Sequence, residues 1–369
     1  MAGLRTAGLR VLITGLGTFW GSRLAQYLEA QPEVEVLVGV DTREPRVPLE
    51  RTEFVRVDAS FDVLARIVKA AQLDTILHTH LIIDSTQARG RHIHETNVIE
   101  TMNLLAAAGA AGSPVRKFVL KSSTLLYGSN YQDPYFFREG MGRTRAPRSR
   151  VEQSLVEVAS IVRDFAEDNP DIVVTKLEFA NVLGRDIDSA FSRLLRRPIV
   201  PEILGFDPRL QFVHEDDVTG ALAYATLNDV PGEYNVAGEG PIPWSEVCKI
   251  AGKRRVALPP VGTAVAAAPL HWARLADMPI ELLSLLRYGR AVDTSRFRWA
   301  GFRYHYTTAG TVEAFAEALR LERSVGDAFA PYRYERDIEA FFHHSPSVVR
   351  DAGAELVLES ESQPPTGGS

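Results

Sequence analysis

The stretch Thr14-Gly15-Leu16-Gly17-Thr18-Phe19-Trp20-Gly21 decides the fold, because it joins an apolar, β-branched run to a helical one. A strand is predicted before it, at Leu9–Thr14, and a helix after it. Glycine is needed in such a turn, since a Cβ atom would block the tight bend. It would also keep backbone amides away from a pyrophosphate at the helix N-terminus. The stretch therefore predicts a dinucleotide-binding loop.

The residue that ends the second predicted strand strengthens this interpretation. Asp41 follows Val34–Val40 and stands about 20 residues after Gly21, the spacing of a dinucleotide-binding unit. A carboxylate at this place accepts hydrogen bonds from the adenosine ribose hydroxyls and repels a 2′-phosphate. The predicted cofactor is therefore NAD. Arg43, two residues further on, favours a 2′-phosphate and weakens the preference for NAD over NADP.

The first half of the chain alternates between two hydrophobic periods. Short β-branched runs predict strands at Leu9–Thr14, Val34–Val40, Phe54–Val57, Thr75–His78, Phe118–Lys121 and Ile172–Leu177. Helical spacing lies between them, at Ser22–Ala30, Phe61–Ala71, Asn97–Ala111 and Arg150–Asn169. Parallel strands need such crossovers, so the predicted fold class is α/β, a Rossmann-type doubly wound parallel sheet with helices on both faces.

The second half is less regular. Beyond Gly184 prolines interrupt the pattern, which indicates a smaller mixed α/β lobe for the substrate. We expect a flexible N-terminus over residues 1–8, the NAD-binding domain over 9–184, and the substrate lobe mainly over 185–345, with some segments returning to the sheet. The polar residues 346–369 bury too little apolar surface to order themselves and are predicted to be a disordered tail.

Composition excludes several classes of function. A net charge of -6 leaves no basic surface for nucleic acid. The only cysteine, Cys248, excludes an intrachain disulfide and a cysteine-based zinc site, and we predict no metal site. The start of the chain, MAGLRTAGLR, does not have the pattern of a signal peptide, so a cytoplasmic protein is expected.

A series of further motifs follows the glycine loop. They are Val57-Asp58-Ala59, Ile76-Leu77-His78, Asn97-Val98, Ser122-Ser123-Thr124-Leu125-Leu126-Tyr127-Gly128, Asn181-Val182-Leu183-Gly184 and Phe212-Val213-His214-Glu215-Asp216-Asp217-Val218. In this order they resemble the extended short-chain dehydrogenases/reductases, the NAD-dependent epimerase/dehydratase family, and within it the UDP-glucose 4-epimerase-like bacterial branch. The glycine loop departs from the family pattern, because Thr18 replaces the middle glycine and Gly17 stands one position earlier.

The resemblance implies a set of site residues. The cofactor site would combine the glycine loop and Asp41 with the following residues: Asp58, Ala59, His78, Asn97 and Ser122. Asn181 and Arg209 would bind the substrate, a nucleotide sugar or another small molecule. Helix pairing across a two-fold axis is common in the family, so a homodimer is also implied.

The family's catalytic pair, Tyr-x-x-x-Lys, is absent. Ser123 matches the serine that positions the substrate oxygen, but residues 140–157 contain neither tyrosine nor lysine. One register of the following helix puts Thr144 and Arg148 in the two positions, and another puts Ser149 and Gln153 there. Neither register supplies a phenol, and arginine does not deprotonate to act as a base.

Substitutes for the pair are weak. The tyrosines and carboxylate nearest in sequence are Tyr127, Tyr131, Tyr135 and Glu139. Lys121 directly precedes the serines on a buried strand, with a side chain expected to face away from the site. His78 and His80 share a face and are interpreted as structural, while His92 and His94 are predicted in a loop.

Three functions follow from these observations. The resemblance implies 4-epimerase or dehydratase chemistry on a UDP-sugar, through a 4-keto intermediate, with Ser123 and an unidentified base. The missing pair favours instead a catalytically inert NAD(H)-binding sensor or scaffold. A third hypothesis, a reductase of a lipid-like substrate, rests on the apolar stretch 256–288, which either packs on the lobe's own core or contacts a membrane surface.

Overall fold

The computed structural model describes residues 8–88, 90–134, 136–259 and 278–325. The tail predicted over 346–369, Tyr135 and nearly all of the N-terminus predicted to be flexible lie outside this part of the chain. Residues 260–277, the middle of the apolar stretch, also lie outside it.

The strands are short outside the centre of the fold. In chain order they are β1 (Leu9–Thr14), β2 (Val34–Asp41), β3 (Thr52–Arg56), β4 (Thr75–His78), β5 (Lys117–Ser123), β6 (Phe136–Phe137), β7 (Val173–Phe179), β8 (Asn181–Leu183), β9 (Ile199–Ile203), β10 (Arg209–Leu210), β11 (Phe212–His214), β12 (Gly232–Val236), β13 (Ile242–Pro243), β14 (Arg254–Leu258) and β15 (Ala291–Val292).

The helices alternate with the long strands in the first half. They are α1 (Phe19–Glu29), α2 (Phe61–Ala70), α3 (Gly90–His94), α4 (Glu100–Gly109), α5 (Arg150–Asp168), α6 (Ala190–Arg196), α7 (Glu215–Leu227), α8 (Trp244–Ile250), α9 (Ile280–Tyr288), α10 (Ser295–Trp299) and α11 (Thr308–Val325). A wider helical turn, Glu95–Ile99, joins α3 to α4, and a 3₁₀ turn, Thr124–Tyr127, follows β5.

Seven strands form one parallel sheet in the order β12-β7-β5-β4-β1-β2-β3. The chain builds outward from β1 through β2 to β3, and then crosses to β4 on the other side of β1. The strand order therefore reverses between β1 and β4, as in other doubly wound sheets. This arrangement confirms the predicted α/β fold class.

Both faces of the sheet are covered by helices. On one face Leu12 and Ile76 belong to a buried core with side chains of α2, α4 and α5. On the other face Ile13 and Leu77 belong to a core with side chains of α1 and α7. Since adjacent residues of a strand point to opposite faces, burial on both sides explains why the central strands are apolar at nearly every position.

Short strand pairs build the less regular half. β8 pairs with β11, β9 with β14, β10 with β13 and β6 with β15. β12 instead lies beside β7 at the edge of the main sheet. The boundary at residue 184 between a cofactor domain and a substrate lobe stays a prediction.

Several predicted elements differ from those observed at one or both ends, and three of the differences have a local cause. α1 begins at Phe19 rather than Ser22, because Thr18 caps the helix. β3 begins at Thr52, where its pairing with β2 starts, rather than at Phe54. His92 and His94 lie in α3 and not in a loop, since a helix already begins at Gly90.

Candidate functional site

The candidate site lies at the carboxyl ends of β1 and β4, where the strand order reverses. Ligands of open parallel sheets bind at this place. Gly15 bends the chain directly after β1 with a φ of +73°, a conformation that favours glycine. α1 begins four residues later, and the first amides of a helix have no partner within the helix. The loop therefore ends in amides suited to an anion.

Gly21 and Thr18 hold the start of α1 against the loop. A Cβ atom on Gly21 would lie 2.2 Å from the carbonyl oxygen of Gly15, so only glycine fits there. Thr18 Oγ1 donates a hydrogen bond to that carbonyl oxygen at 2.7 Å and accepts one from the Gly21 amide at 3.1 Å. Thr18 thus replaces the family's middle glycine with a helix cap, and the loop stays closed without that glycine.

Asp41 lies beside this loop at the end of β2. Its Oδ2 accepts a hydrogen bond from the Gly17 amide at 3.0 Å, and its Oδ1 accepts one from the Arg43 amide at 2.9 Å. Oδ1 also accepts a hydrogen bond from the Thr42 hydroxyl at 3.4 Å. Oδ2 has a further lone pair, so Asp41 retains acceptor capacity toward a ribose. Arg43 Nε lies 4.0 Å from Asp41 Oδ1. The two residues that predict opposite cofactor preferences are therefore neighbours.

Two predicted cofactor residues use their side chains inside the protein. The ring of His78 is buried, with Nδ1 2.7 Å from Thr14 Oγ1 and Nε2 3.0 Å from Thr101 Oγ1. Burial lowers the pKa of His78 to about 3, so the ring is neutral. Asn97 Oδ1 accepts a hydrogen bond from the Ile82 amide at 2.7 Å, and Nδ2 donates to the Ile82 carbonyl at 2.9 Å. These side chains stabilise the residues beneath the site and have no free ring nitrogen or amide oxygen directed to a ligand.

The remaining cofactor candidates lie at the rim of the site or in the first turn of α1. Asp58 is exposed just after β3, and the Ala59 carbonyl accepts a hydrogen bond from Asn103 Nδ2 at 2.9 Å. Phe19 and Trp20 are half-buried, and their ring centroids lie 4.9 Å apart, edge to face. Their contact with a cofactor stays a prediction.

β5 ends in two serines that point to opposite faces of the sheet. Ser122 is buried, and its Oγ has no hydrogen-bond partner among the described residues. Ser123 Oγ accepts a hydrogen bond from the Leu125 amide at 3.3 Å and donates one to the Phe179 carbonyl at 3.4 Å. Ser123 is therefore held at the edge of the sheet by β7 and by the turn that follows β5.

Neither register of the missing catalytic pair supplies a base. Thr144 and Arg148 are both exposed. Ser149 caps α5, where its Oγ accepts a hydrogen bond from the Glu152 amide at 3.1 Å. Gln153 is exposed on the first turn of the same helix. A hydroxyl, an amide and a guanidinium do not act as general bases, so none of the four side chains at the two pairs of positions replaces the tyrosine.

The neighbouring tyrosines and Glu139 do not restore the pair. Tyr127 is buried, its hydroxyl donates a hydrogen bond to Asn235 Oδ1 at 3.0 Å, and burial raises its pKa. Tyr131 is exposed, with the Arg145 guanidinium 4.9 Å from its ring centroid. Glu139 Oε1 accepts a hydrogen bond from the Asn235 amide at 2.8 Å, and burial raises the pKa of Glu139. Tyr127 and Glu139 thus stabilise the fold around Asn235 of β12.

Lys121 does not face away as expected. Its side chain is buried, and Nζ lies 5.0 Å from the ring centroid of Trp20 and 5.7 Å from that of Phe179. Trp20 follows the glycine loop directly, and Phe179 contacts Ser123 through its carbonyl. Period-two spacing already places Lys121 and Ser123 on one face of β5, which is the sequence signal for this placement.

His80 adds a titratable group to the glycine loop. A Cβ atom on Gly15 would lie 2.8 Å from His80 Cβ, so the two residues are in close contact. His80 Nδ1 lies 3.1 Å from Glu100 Oε2. Burial lowers the pKa of His80, but the hydrogen bond and negative charge of Glu100 outweigh burial and raise it. In the described residues no three His, Cys, Asp or Glu side chains converge as metal ligands.

We expect the pKa of His80 to lie above its ordinary value of 6.5 and to fall in Glu100→Gln. Because folding raises this pKa, the charged ring adds stability below about pH 6.5 that is lost as the pH rises through the folded pKa. The stability difference between wild type and Glu100→Gln should therefore be larger at acidic than at alkaline pH. Ring chemical shifts and urea unfolding over pH measure the two effects.

Glu95→Gln is the matched control for this prediction. Glu95 pairs with Arg91 at 2.8 Å on an exposed helical surface, five residues before Glu100. Its removal should leave the His80 titration unchanged. A His80 titration that is the same in wild type and Glu100→Gln would contradict the role given to Glu100.

The two predicted substrate residues lie in separate short strands. Asn181 begins β8, and its Nδ2 donates a hydrogen bond to the Gln211 carbonyl at 2.9 Å. Arg209 begins β10, is exposed, and donates to the Pro241 carbonyl at 3.5 Å. Both keep capacity for a ligand, because Asn181 Oδ1 and most of the Arg209 donors are outside these two bonds.

The described ends of the apolar stretch 256–288 contain both buried and exposed apolar side chains. α9 buries Leu282, Leu285 and Leu286, while Val256 and Ile280 are exposed. A packed face thus accounts for much of this segment. Among the helices of the described chain, none has the length and apolar character needed to cross a bilayer.

Comparisons with known proteins agree with this geometry. A sequence model of the NAD dependent epimerase/dehydratase family matches residues 11–237. An uncharacterized protein of Mycobacterium tuberculosis is 33% identical over 316 residues, which are 84% of this chain and 83% of that protein. The crystal structure of Thermus thermophilus UDP-glucose 4-epimerase with NAD is similar at a TM-score of 0.64 and 20% identity, over 85% of this chain and 99% of that one. The crystal structure of Thermotoga maritima UDP-glucose 4-epimerase with UDP-glucose is similar at a TM-score of 0.64 and 18% identity. The match covers 85% of this chain and 100% of that one. This chain belongs to the NAD dependent epimerase/dehydratase family.

Proposed function

We propose that this chain binds NAD across the carboxyl ends of β1, β2, β4 and β5 and acts as a cytoplasmic nucleotide-sugar epimerase or dehydratase. The observation that carries the proposal is the closed glycine loop with Asp41 on the Gly17 amide. A Cβ atom would fill the space between Gly15 and Gly21. Such a cradle fits a pyrophosphate, which backbone amides approach closely.

In this proposal the residues of the chain bind the cofactor and orient the substrate. Amides at the start of α1 hold the pyrophosphate, and Asp41 accepts hydrogen bonds from the ribose hydroxyls. When bound, NAD supplies reversible hydride exchange with a sugar carbon. Ser123 holds the substrate hydroxyl while the sugar passes through its 4-keto form. The proton of that hydroxyl must pass to a base other than Thr144, Arg148, Ser149 and Gln153, since neither pair supplies one.

For the substrate we propose a UDP-sugar. The Thermotoga maritima epimerase, which is similar in fold, binds UDP-glucose. Asn181 and Arg209 would then contact the nucleotide sugar through the amide oxygen and the exposed guanidinium. The assignment gives Asn181 and Arg209 the substrate-binding roles that the family resemblance implies.

Isothermal titration tests the proposal. NAD, NADP and NADH are titrated first, and UDP-glucose and UDP-galactose are then titrated into the NAD complex. Binding of NAD followed by a UDP-sugar supports the epimerase-like site and leads to an activity comparison of wild type with Ser123→Ala. Failure of all three dinucleotides to bind would exclude the proposed function.

A specific observation favours a second function, a catalytically inert NAD(H)-binding sensor or scaffold. Neither candidate pair of positions, Thr144 with Arg148 or Ser149 with Gln153, supplies a tyrosine or a lysine. An inert protein would bind the dinucleotide without interconverting UDP-glucose and UDP-galactose, and Ser123→Ala would leave its behaviour unchanged.

A third function, a reductase of a lipid-like substrate, is favoured by exposed apolar side chains in the stretch 256–288. Val256 is 46% exposed and Ile280 is 48% exposed. Co-sedimentation with liposomes separates it from the first, since a protein acting on soluble nucleotide sugars stays in the supernatant. The outcome is independent of the nucleotide titrations.

We also propose a homodimer that pairs helices across a two-fold axis. Ile99, directly before α4, and Met102 in its first turn expose 43% and 48% of their surface. They are three residues apart and so lie on the same side of the helix. Light scattering at micromolar concentration measures the mass, and a monomer would remove this proposal.

We expect Asp41→Asn to weaken NAD binding by about tenfold or more. A hydrogen bond to a charged acceptor contributes about 1.5–3 kcal/mol, and about 1.4 kcal/mol corresponds to a factor of ten. The neutral amide no longer repels a 2′-phosphate, so NADP should weaken less than NAD, or gain. Titration of both nucleotides measures the ratio of their dissociation constants.

Asp58→Asn is the control for this ratio. Asp58 is an exposed carboxylate near the same end of the sheet, but it lies beyond the contact between Asp41 and the Gly17 amide. If Asp58→Asn changed the NAD-to-NADP ratio and Asp41→Asn did not, Asp41 would not be the residue that selects the ribose.

A further inference from the structure

Lys121 differs from the other buried lysines of the chain. Lys117 Nζ lies 2.8 Å from Asp229 Oδ1, and Lys176 Nζ lies 2.9 Å from a carboxylate oxygen of Glu178. Lys121 is 3% exposed and has no hydrogen bond or ion pair with any described residue. A buried cation without a counter-ion is costly, and such groups are concentrated at functional sites.

The three neighbours that the structure gives Lys121 are apolar or aromatic. Leu177 is its neighbour on β7, and the rings of Trp20 and Phe179 lie over the amine. Two cation–π contacts offset part of the burial but do not replace a carboxylate. Burial alone lowers the pKa of Lys121, to about 8, with no contribution from another titratable group. Its charge therefore changes just above neutral pH.

The order of the sheet places Lys121 at one end of the proposed dinucleotide site. Asp41, at the end of β2, marks the adenosine half, and the glycine loop after β1 marks the pyrophosphate. The other half of the dinucleotide must continue in the opposite direction, over β4 and β5. Lys121 lies there, on the face of β5 that carries Ser123 and next to Trp20 of the first turn of α1. The amine therefore belongs to the nicotinamide half.

We propose that Lys121 makes the site selective for the reduced cofactor, so that the protein binds NADH more tightly than NAD. The oxidised nicotinamide ring carries a positive charge and the reduced ring carries none, so an ammonium group in a dry neighbourhood repels only the oxidised form. The inference rests on the proposed NAD binding. In this role Lys121 selects between the oxidised and the reduced cofactor. That role differs from the role of a lysine that only stabilises the fold and from that of the lysine in the family's Tyr-x-x-x-Lys pair.

Titration of NADH and NAD into wild type and Lys121→Met at pH 6.5 and pH 9 tests the proposal. At pH 6.5 wild type should favour NADH over NAD at least about tenfold more strongly than Lys121→Met does, which corresponds to about 1.4 kcal/mol. Above the pKa of Lys121 the neutral amine should bring wild type close to the variant. Lys69→Met, on an exposed face of α2, is the control and should keep the wild-type ratio.

Proton release gives a second readout that needs no variant. In buffers of different ionisation enthalpy at pH 7.5, NAD binding to wild type should expel a fraction of a proton, because the cationic ring favours the neutral amine. NADH binding should expel none. Equal ratios in wild type and Lys121→Met, or equal proton release for the two nucleotides, would overturn the assignment to Lys121. Absence of binding by either nucleotide would instead exclude the proposed function itself.

Discussion

Gly21→Ala should abolish dinucleotide binding and destabilise the fold. A methyl group on Gly21 would lie 2.2 Å from the Gly15 carbonyl oxygen and 2.7 Å from its carbon, and both are backbone atoms that cannot rotate away. The first turn of α1 must therefore move off the loop. That movement removes the Thr18 cap on the Gly21 amide and displaces the amides proposed to hold the pyrophosphate.

We expect Gly21→Ala to lower both the free energy of unfolding and the affinity for NAD strongly. Overpacking against backbone costs about 1–3 kcal/mol of the free energy of unfolding. A hydrogen bond to a charged group contributes about 1.5–3 kcal/mol, so loss of as few as two from the helix amides would weaken NAD binding by at least about 100-fold. Urea unfolding and calorimetric titration measure the two losses separately.

Gly142→Ala is the matched control for Gly21→Ala. Nothing lies within 4 Å of a Cβ atom built on Gly142. This substitution should change neither stability nor NAD affinity measurably. Unimpaired NAD binding by Gly21→Ala would mean that the helix start is not part of the cofactor site.

The fold and the outline of the cofactor site could be predicted because both depend on local pattern. The alternation of hydrophobic periods determines which segments are strands, and β1 and β4 have the predicted bounds. The glycine loop and Asp41 are close in sequence, within one strand–helix–strand unit, so their contact follows from the fold class.

The side-chain environment of the site could not be predicted, because its partners are distant in sequence. His78 bonds to Thr14, 64 residues away, and to Thr101, 23 residues away. Nothing in either local pattern indicates that the ring is already satisfied. The expectation that Lys121 faces away also takes no account of its neighbours, which are the ring of Trp20 from α1 and that of Phe179 from β7.

The start of α1 shows a third reason why the site could not be predicted in full. Replacement of the middle glycine by Thr18 departs from the family pattern, and the spacing of glycines alone does not predict what closes the loop. The structure instead has a hydroxyl that bonds to both ends of the loop. A single side chain with a donor and an acceptor thus provides a closure that the pattern of glycines does not describe.

Lys176→Met should destabilise the protein by about 3–5 kcal/mol at pH 8, the usual cost of removing one partner of a buried ion pair. Lys176 Nζ lies 2.9 Å from carboxylate oxygens of both Glu178 and Glu233. The side chain of Glu178 is 1% exposed, and among the described residues Lys176 is the cation paired with it, so Lys176 is its main source of charge compensation. Glu233 is more exposed and keeps Arg163 at 3.4 Å.

The pH dependence of this loss identifies Glu178 as its cause. Burial already raises the pKa of Glu178 in the wild type, and removal of the Lys176 charge raises it further. A carboxyl with a raised folded pKa binds its proton more tightly in the folded state, so stability falls as the pH rises above its unfolded value of about 4.3. Lys176→Met should therefore cost less at pH 5.5 than at pH 8, as measured by urea unfolding.

A second substitution and an exposed pair separate this explanation from a general packing defect. Glu178→Gln in the Lys176→Met background removes the uncompensated charge and should recover most of the loss at pH 8. Arg255→Met breaks the pair with Glu202, whose side chains are 41% and 28% exposed, and should cost at most about 1 kcal/mol at either pH. A loss in Lys176→Met that was independent of pH and unchanged by Glu178→Gln would assign it to packing of the lysine stem against its neighbours. In that case the charge of Lys176 would matter less to this fold than its four methylene groups.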